Sequence, residues 1–296
     1  MTTADFDGWS RQQLRDVEAA LESWVPADAP AGLGEAMRYG VLDGGKRLRP
    51  LLVLAACDAV AGERTAALRA AVASELIHAY SLVHDDMPCM DDDVLRRGKP
   101  TVHVKYGQAL AMLAGDAMQA LAFEVLTPDQ GMAPALQARL IALLARAAGH
   151  AGMAGGQAID LASTGSVLDE PALRDMHRRK TGALLRASVM MGAACGSVDA
   201  AAERALAEYG DAVGLAFQVV DDILDVTQAS ETLGKTAGKD LDHRKPTYVS
   251  VLGLEAARRH AQDLRRQALA ALSRSGLGPA VGLLAVLADK VVERES

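Results

Sequence analysis

Two short acidic runs contain the residues of this sequence whose types and spacing could do chemistry. One lies in SLVHDDMPCMDDDVLRRGKP and the other in FQVVDDILDVTQ, and each follows an apolar stretch with helical periodicity. The aspartates that could act together are Asp85, Asp86, Asp91, Asp221, Asp222 and Asp225. Either run alone is typical of a solvated acidic surface. Two such runs on apolar helices instead favour bound cations, because unpaired buried carboxylates carry a large desolvation penalty.

Helix geometry predicts which of these carboxylates point the same way. Asp221 and Asp225 are four residues apart and share one helix face, with Asp222 beside them. Pro88 should end or kink the first helix, because proline removes a backbone donor, so Asp91 returns on a bent segment. Ligands that are all oxygen favour Mg²⁺, which takes one or two carboxylates and completes its shell with water and phosphate. The two runs therefore predict a clamp for a metal-bound diphosphate.

Basic residues at the ends of predicted helices could bind the same phosphates. Arg96 and Arg97 directly follow the first acidic run. The segment GGKRLRP carries Lys46 and Arg49 three residues apart, which predicts one side of a helical turn. Further lysines of this kind are Lys180, Lys235, Lys239 and Lys245. Each alone is more often a surface charge, but as a set they favour an anion site, because arginine binds phosphate bidentately and lysine as a point charge.

Composition favours helices as the elements that position these residues. The chain has 296 residues, of which 50% are hydrophobic and only 3% aromatic, and alanine is abundant. Helical periodicity recurs along the chain, and the breaks between periodic segments are short. We expect one all-α domain over residues 1–296, a single large bundle of roughly ten or more helices. The stretch Val102–Leu126 is apolar almost all round, which fits either a core helix or a helical interface.

Several classes of protein are disfavoured by the same sequence. The net charge of −7 argues against a nucleic-acid binder, and three dispersed cysteines give neither a disulfide framework nor a zinc site. The N-terminal residues lack the pattern of a signal peptide. No uncharged stretch reaches the ~18 residues of a membrane span. We therefore expect a cytoplasmic protein that binds neither nucleic acid nor membranes.

Several ordered motifs resemble those of trans-isoprenyl diphosphate synthases. ELIHAYSLVHDDMPCMDDDVLRRGKP is similar to the first aspartate-rich motif of the family, in the bacterial form with two inserted residues. GLAFQVVDDILDVTQ and the lysines after it are similar to the second motif. GGKRLRP, GGQAIDLA and KTGALL match further family motifs, so the resemblance covers roughly residues 34–255. Within the family, it is strongest to short-chain bacterial farnesyl diphosphate synthases.

The resemblance implies an isoprenoid synthase class I fold, with helices around a central cavity, and a role for each matched residue. Residues for the diphosphate of isopentenyl diphosphate would be Lys46, Arg49, His78 and Arg97. Those for the allylic diphosphate would be Arg96, Lys180, Lys235 and Lys245. Three Mg²⁺ ions would bind to Asp85, Asp86, Asp91 and Asp221, supported by Asp222 and Asp225, with Asp240 in the outer shell. The cationic centre would be lined by Lys180, Thr181 and Gln218.

The implied reaction is the head-to-tail condensation of isopentenyl diphosphate with dimethylallyl or geranyl diphosphate through an allylic carbocation. Tyr80 and Ser81 lie about one helical turn before Asp85 and would face the growing chain. In the bacterial enzymes, an aromatic residue five positions before the first aspartate marks a C15 product. The resemblance therefore implies farnesyl diphosphate, with geranylgeranyl diphosphate as the alternative, and a homodimer.

Other interpretations remain open from the sequence. A class I terpene cyclase shares the first acidic run, but its second metal motif mixes Asn, Ser or Thr and Glu, and a head-to-head synthase has DxxxD motifs. From a different class, the chain could be a non-catalytic regulatory subunit or an acidic cation-binding helical protein. At single positions, His78, Tyr80 and Gln218 could instead be ordinary packing residues.

Overall fold

The computed structural model describes residues 3–42, 44–165, 168–227 and 246–294. Its α-helices in chain order are α1 (Thr3–Trp24), α2 (Leu33–Val41), α3 (Leu48–Ala59), α4 (Arg64–Asp85), α5 (Val102–Tyr106), α6 (Gln108–Val125), α7 (Pro134–Ala148), α8 (Met153–Ala162), α9 (Glu170–His177), α10 (Ala183–Ala194), α11 (Ala200–Thr227), α12 (Tyr248–Leu252), α13 (Leu254–Arg274) and α14 (Gly282–Val292). Short 3₁₀ helices span Pro30–Gly32 and Gly278–Val281, and a π-helical turn spans Arg178–Gly182. The all-α prediction is confirmed.

Local signals explain where several of these helices begin. The side chain of Glu63 accepts hydrogen bonds from the backbone N–H groups of Thr65 and Ala66 and so caps α4. The side chain of Asp169 caps α9 in the same way, with a proline in the first turn. The Glu63 cap fixes the start of α4, which carries the first acidic run at its other end.

The core consists of two hydrophobic clusters that meet at α3 and α10. One cluster includes buried residues of α1, α4, α6 and α7, and the other includes residues of α11, α13 and α14. Helices α3 and α10 contribute buried residues to both clusters. The two long helices that carry the acidic runs, α4 and α11, therefore belong to different clusters, and both pack against α10. The single domain over residues 1–296 stays a prediction.

Two local features differ from the sequence-based expectation. The predicted helix Val102–Leu126 is broken at Gly107, whose φ of 86° ends α5 before α6 begins. A β-hairpin follows the first acidic run, with strands β1 (Leu95–Arg96) and β2 (Lys99–Pro100). Its two turn residues both have positive φ, 52° at Arg97 and 75° at Gly98, as a tight hairpin turn requires.

Helix α6 is also less buried than its composition suggested. Met112 and Leu113 are 39% and 54% exposed on its outward face. Its inward face packs on α4 through buried residues such as Ala111 and Met118. Among the described residues, no helix combines the length and apolar character needed to cross a membrane.

Candidate active site

The first acidic run folds into a turn that closes the end of α4. The backbone N–H of Asp91 donates to the carbonyl oxygen of Asp85 at 2.8 Å, and that of Asp93 donates to Asp86 at 3.1 Å. Pro88 lies inside this turn, beyond the end of the helix. The helix ends at Asp85 and Asp91 returns on a bent segment, as the sequence predicted.

Asp86 is engaged in a buried ion pair with the hairpin. The Arg96 guanidinium donates to both carboxylate oxygens, from Nε to Oδ2 at 2.9 Å and from Nη2 to Oδ1 at 2.6 Å. Asp86 itself is only 2% exposed. Two parallel hydrogen bonds make such a pair strong and fix its orientation. Arg96 therefore reaches the acidic run through the hairpin, which the sequence did not predict.

Asp85 is held in a setting that disfavours its charge. Burial raises the pKa of this carboxyl, the positive charge of Lys180 lowers it and the nearby Asp91 raises it, with a net pKa of about 6. Lys180 lies on a distant part of the chain, in the turn Arg178–Gly182. Its effect on Asp85 shows that this turn lies within electrostatic range of the end of α4.

In the second acidic run, Asp222 is a buried hydrogen-bond acceptor. It accepts from the backbone N–H of Tyr248 at 2.7 Å and from Nε2 of Gln218 at 2.8 Å. Asp221 is half-buried and accepts a hydrogen bond from Nη2 of Arg294 at 3.2 Å. Asp225 is buried on the same helix, 4% exposed. Asp222 thus connects α11 to the start of α12, while Asp221 faces the C-terminal residues.

The three residues predicted for the cationic centre come from two facing segments. Thr181 donates from its hydroxyl to Oε1 of Gln218 at 3.0 Å, which joins the π-helical turn to α11. Lys180, beside Thr181, donates from Nζ to Oδ2 of Asp160 at 2.6 Å. A Cβ at Gly214 would lie 2.8 Å from Cα of Gly182, so the missing side chain lets α11 approach the turn. π-Helical turns of this kind are common at functional sites.

A group of positive charges surrounds His78. Burial lowers the pKa of this half-buried histidine well below its usual value, and the next causes are the charges of Arg49 and Arg97. Arg96 and Arg47 lower the same pKa further. Three of the four residues predicted to bind the isopentenyl diphosphate therefore lie together. Burial also lowers the pKa of Arg49 to about 10.

Lys46 does not share a helical turn with Arg49, which corrects the sequence-based interpretation. Arg47 between them has a φ of 44°, in the left-handed region, and α3 begins only at the next residue. Lys46 is exposed, and its pKa is lowered by burial and by Arg294, while Asp221 raises it. Lys46 therefore lies within electrostatic range of the second acidic run.

Arg47 was given no role from the sequence, yet it is central to this region. Its Nη1 donates to Oε1 of Glu75 and its Nε to Oε1 of Glu18, both at 2.7 Å. A third contact runs from Nη2 to the carbonyl oxygen of Val41 at 2.6 Å. Arg47 and Glu75 are both buried, 4% and 3% exposed. No local sequence signal marks these partners, because they lie 6, 28 and 29 residues away.

Tyr80 lies one turn before the first acidic run, as expected for a residue that limits chain length. It is 8% exposed, and its ring and that of His84 pack in an edge-to-face arrangement with centroids 5.7 Å apart. Burial raises the pKa of its hydroxyl, which also hydrogen-bonds to Gln119 of α6. Ser81 donates from its hydroxyl to the carbonyl oxygen of His78 at 2.8 Å. These contacts are compatible with a chain-length role and with simple packing.

Some predicted residues lie outside the described part of the chain, within residues 228–245. They are Lys235, Lys239, Asp240 and Lys245. Two residues that the sequence analysis did not assign do reach the site, Asp160 through Lys180 and Arg294 through Asp221. The sequence signal that could have identified Asp160 is the motif GGQAIDLA, which contains it.

The carboxylates of the site fit magnesium as single ligands rather than as a preformed cage. Within residues 3–42, 44–165, 168–227 and 246–294, no three His, Cys, Asp or Glu side chains converge on a metal-sized space. Mg²⁺ needs only one or two carboxylates, with water and phosphate as its other ligands. Asp85, Asp91 and Asp221 are half-buried and supply hard oxygen donors. The raised pKa of Asp85 means that burial disfavours its charged form, and a bound cation would stabilise that form.

The helical architecture and the acidic and basic groups around α4 and α11 define an isoprenyl diphosphate synthase of the all-α type. The polyprenyl synthetase family model matches residues 30–275, and the chain belongs to this family. Membership makes it a prenyltransferase that elongates isoprenyl diphosphates, in a family that generally depends on Mg²⁺. The predicted family and the isoprenoid synthase class I fold are both confirmed.

Relatives of this chain differ in product. A farnesyl diphosphate synthase of Haemophilus influenzae is 45% identical over 284 residues, which is 95% of each chain. A chloroplastic geranylgeranyl pyrophosphate synthase of Arabidopsis thaliana is 45% identical over 96% of this chain and 81% of its own length. Among solved structures, an FPP/GFPP synthase from Zymomonas mobilis has a TM-score of 0.87 and 42% identity, covering 98% of this chain and 100% of its own. A Helicobacter pylori geranyltransferase complexed with magnesium and isoprenyl diphosphate has a TM-score of 0.85 and 35% identity, covering 99% and 97%.

Proposed function

We propose that this protein makes farnesyl diphosphate by head-to-tail condensation of isopentenyl diphosphate with dimethylallyl or geranyl diphosphate. The observation that carries the proposal is that the turn Arg178–Gly182 lies close to both acidic runs, since Thr181 in this turn is hydrogen-bonded to Gln218 and Gln218 to Asp222. Lys180 acts electrostatically on Asp85 of the first run and on His177, whose pKa also responds to Asp221 of the second run. A diphosphate bound beside Lys180 would therefore lie between carboxylates from α4 and from α11.

In the proposed reaction, the basic group around His78 binds and orients the isopentenyl diphosphate. Arg49, His78 and Arg97 are the residues of that group, with Lys46 at its edge. Mg²⁺ held by Asp85, Asp91 and Asp221 would neutralise charge on the leaving allylic diphosphate. Lys180 and Arg96 would add positive charge on the same side, with Lys235 and Lys245 assigned by resemblance. Preorganised charges of this kind stabilise a transition state because they need no reorganisation during the reaction.

Thr181 and Gln218 are proposed to stabilise the allylic cation. Thr181 uses its hydroxyl hydrogen to donate to Gln218, so the lone pairs of its oxygen remain available. Gln218 is itself held by its hydrogen bond to Asp222. After ionisation, the double bond of isopentenyl diphosphate attacks the cation, and the released diphosphate takes the proton. The hydrogen bonds of Asp222 fit a supporting role for this residue and for Asp225, rather than direct metal binding.

The proposal of a farnesyl product rests on Tyr80, a buried aromatic residue five positions before Asp85. We expect its ring to limit elongation along α4 beyond C15, and Ser81 follows it in the chain. Geranylgeranyl diphosphate is the second candidate, because relatives of similar identity carry that name. We also propose a homodimer that covers Met112 and Leu113, two exposed apolar residues of α6. The cytoplasmic location stays a prediction.

Product formation tests the proposal directly. The purified protein is incubated with Mg²⁺, isopentenyl diphosphate and either dimethylallyl or geranyl diphosphate, and the products are separated by chain length. Asp85→Asn and Asp221→Asn are each expected to reduce turnover by orders of magnitude and to leave binding of isopentenyl diphosphate largely intact. Full activity of either variant would contradict the metal clamp. Lack of any elongated product from the unaltered protein would instead favour a regulatory subunit.

A further inference from the structure

Helix α8 carries a buried polar face for which the proposed reaction has no role. This face belongs to GGQAIDLA, and its polar members are Gln157 and Asp160, 9% and 4% exposed. The two residues are three positions apart, so they lie on adjoining parts of one helix face. Buried polar side chains on a helix need partners, because an unpaired buried group loses its hydration without replacement.

Asp160 has such a partner in Lys180. The ion pair joins Nζ of Lys180 to Oδ2 of Asp160 at 2.6 Å, with side chains 25% and 6% exposed. The backbone of α8 also contacts the turn that carries Lys180. A Cβ at Gly156 would lie 2.1 Å from the backbone nitrogen of Lys180, so only glycine permits this approach. Lys180 is therefore fixed at both ends, through its backbone and through its ammonium group.

This arrangement leaves Lys180 able to bind a second anion. An ammonium group has three N–H donors, and the contact with Asp160 uses one of them. A lysine side chain is flexible, so an anchor at its end restricts where the remaining donors can point. The hydrogen bonds from Thr181 to Gln218 and from Gln218 to Asp222 place the turn that carries Lys180 against the second acidic run. An anchored ammonium group beside those carboxylates suits a diphosphate that binds there.

Gln157 has no such partner within the described part of the chain. Neither Oε1 nor Nε2 of its buried amide has a hydrogen-bond partner there. It lies about one helical turn from Asp160, which pairs with Lys180, and directly after Gly156, which approaches the Lys180 backbone. Buried amides that lack protein partners are rare and mark places where a ligand or an ordered water binds.

We propose that Asp160 is a positioning residue that holds the Lys180 ammonium group toward the allylic diphosphate, and that Gln157 donates from its amide to the same diphosphate. This inference rests on the proposed function and adds α8 to the site that binds the allylic substrate. The diphosphate of isopentenyl diphosphate, assigned to the residues around His78, makes no contact with α8 in this arrangement. Changes on α8 therefore affect one substrate and not the other.

The Asp160→Asn variant separates these two substrates. We expect the KM for geranyl diphosphate and the Kd for geranyl S-thiolodiphosphate, an unreactive analogue, to rise about tenfold or more, because a charge-assisted contact is lost. The KM for isopentenyl diphosphate should stay within about twofold. In a Lys180→Met background, Asp160→Asn should have little further effect, because its partner is absent. Gln157→Ala should raise the same Kd by roughly threefold to tenfold.

Asp175→Asn is the matched control, since Asp175 pairs with Arg178 and Arg179 of the same turn but outside the site. Equal geranyl S-thiolodiphosphate affinity in the Asp160→Asn, Gln157→Ala and Asp175→Asn variants would overturn the inference. If Asp160→Asn does not fold, the Asp160→Glu variant replaces it, because the longer side chain displaces the carboxylate that anchors Lys180. Normal kinetics of Asp160→Glu would show that Asp160 has only a structural role and would overturn the positioning role. An unaltered protein that binds the analogue but forms no product would contradict the proposed function without contradicting the role of α8.

Discussion

Replacement of Arg47 by methionine is the sharpest test of how the diphosphate-binding region is built. Arg47 stands immediately before α3 and contacts the carboxylates of Glu18 and Glu75 and the carbonyl oxygen of Val41. Methionine has similar length but offers no hydrogen-bond donor. The substitution therefore keeps most of the packing volume and removes all three contacts at once.

The expected loss of stability depends on whether water can reach each carboxylate after the guanidinium is removed. The side chain of Glu18 is 35% exposed and can be hydrated, so its loss of a partner costs little. The side chain of Glu75 is 4% exposed and would be left as a buried charge. Breaking a buried ion pair in this way typically lowers stability by about 3–5 kcal/mol. For a chain of 296 residues, this corresponds to a decrease in Tm of about 5–10 °C.

Thermal unfolding followed by circular dichroism measures this change. The matched control is Arg139→Met, because Arg139 pairs with Glu203 at the surface, with side chains 46% and 43% exposed. That variant should lose no more than about 1 kcal/mol. Combining Arg47→Met with Glu75→Leu should recover much of the lost stability, because the orphaned charge is removed with its partner. If Arg47→Met proves as mild as Arg139→Met, or if the double variant is no better, the reasoning from the buried charge is refuted.

Three further predictions address product, assembly and pH. Tyr80→Ala should shift the product from C15 to longer chains, measured by chromatography, and an unchanged product from a folded variant would remove the chain-length role. Leu113→Asp should convert a dimer into monomers in analytical ultracentrifugation, with Asp116→Ala on the same helix as the control. Burial lowers the pKa of His177 from 6.5 to about 4 in the folded protein. As the pH drops from 6.5 toward 4, this histidine is protonated in the unfolded chain but not in the folded one, so the stability of the folded state falls. His177→Phe should therefore reduce the loss of stability between pH 7 and pH 5 by about 2 kcal/mol in urea denaturation, and an unchanged loss would exclude this histidine as the cause.

The acidic runs and the helices that carry them could be predicted because their signals are local. The turn after Asp85 follows from Pro88 and the apolar period before it, and the shared face of Asp221 and Asp225 follows from helix geometry. The basic residues around His78 were found because short motifs place charges at helix ends. These inferences need only the residues within a few positions along the chain.

The tertiary structure decided which of the candidate carboxylates are engaged by other residues of the chain. Asp86 is engaged by Arg96 across a hairpin, and Asp222 by the backbone of Tyr248, 26 residues away. Asp160 reaches Lys180 because α8 packs on the π-helical turn. Pairing between distant segments depends on how their helices pack, and side-chain spacing along the chain carries no information about that packing. The sequence alone therefore determined which chemical groups this protein has, and the packing of its helices determined which of them meet.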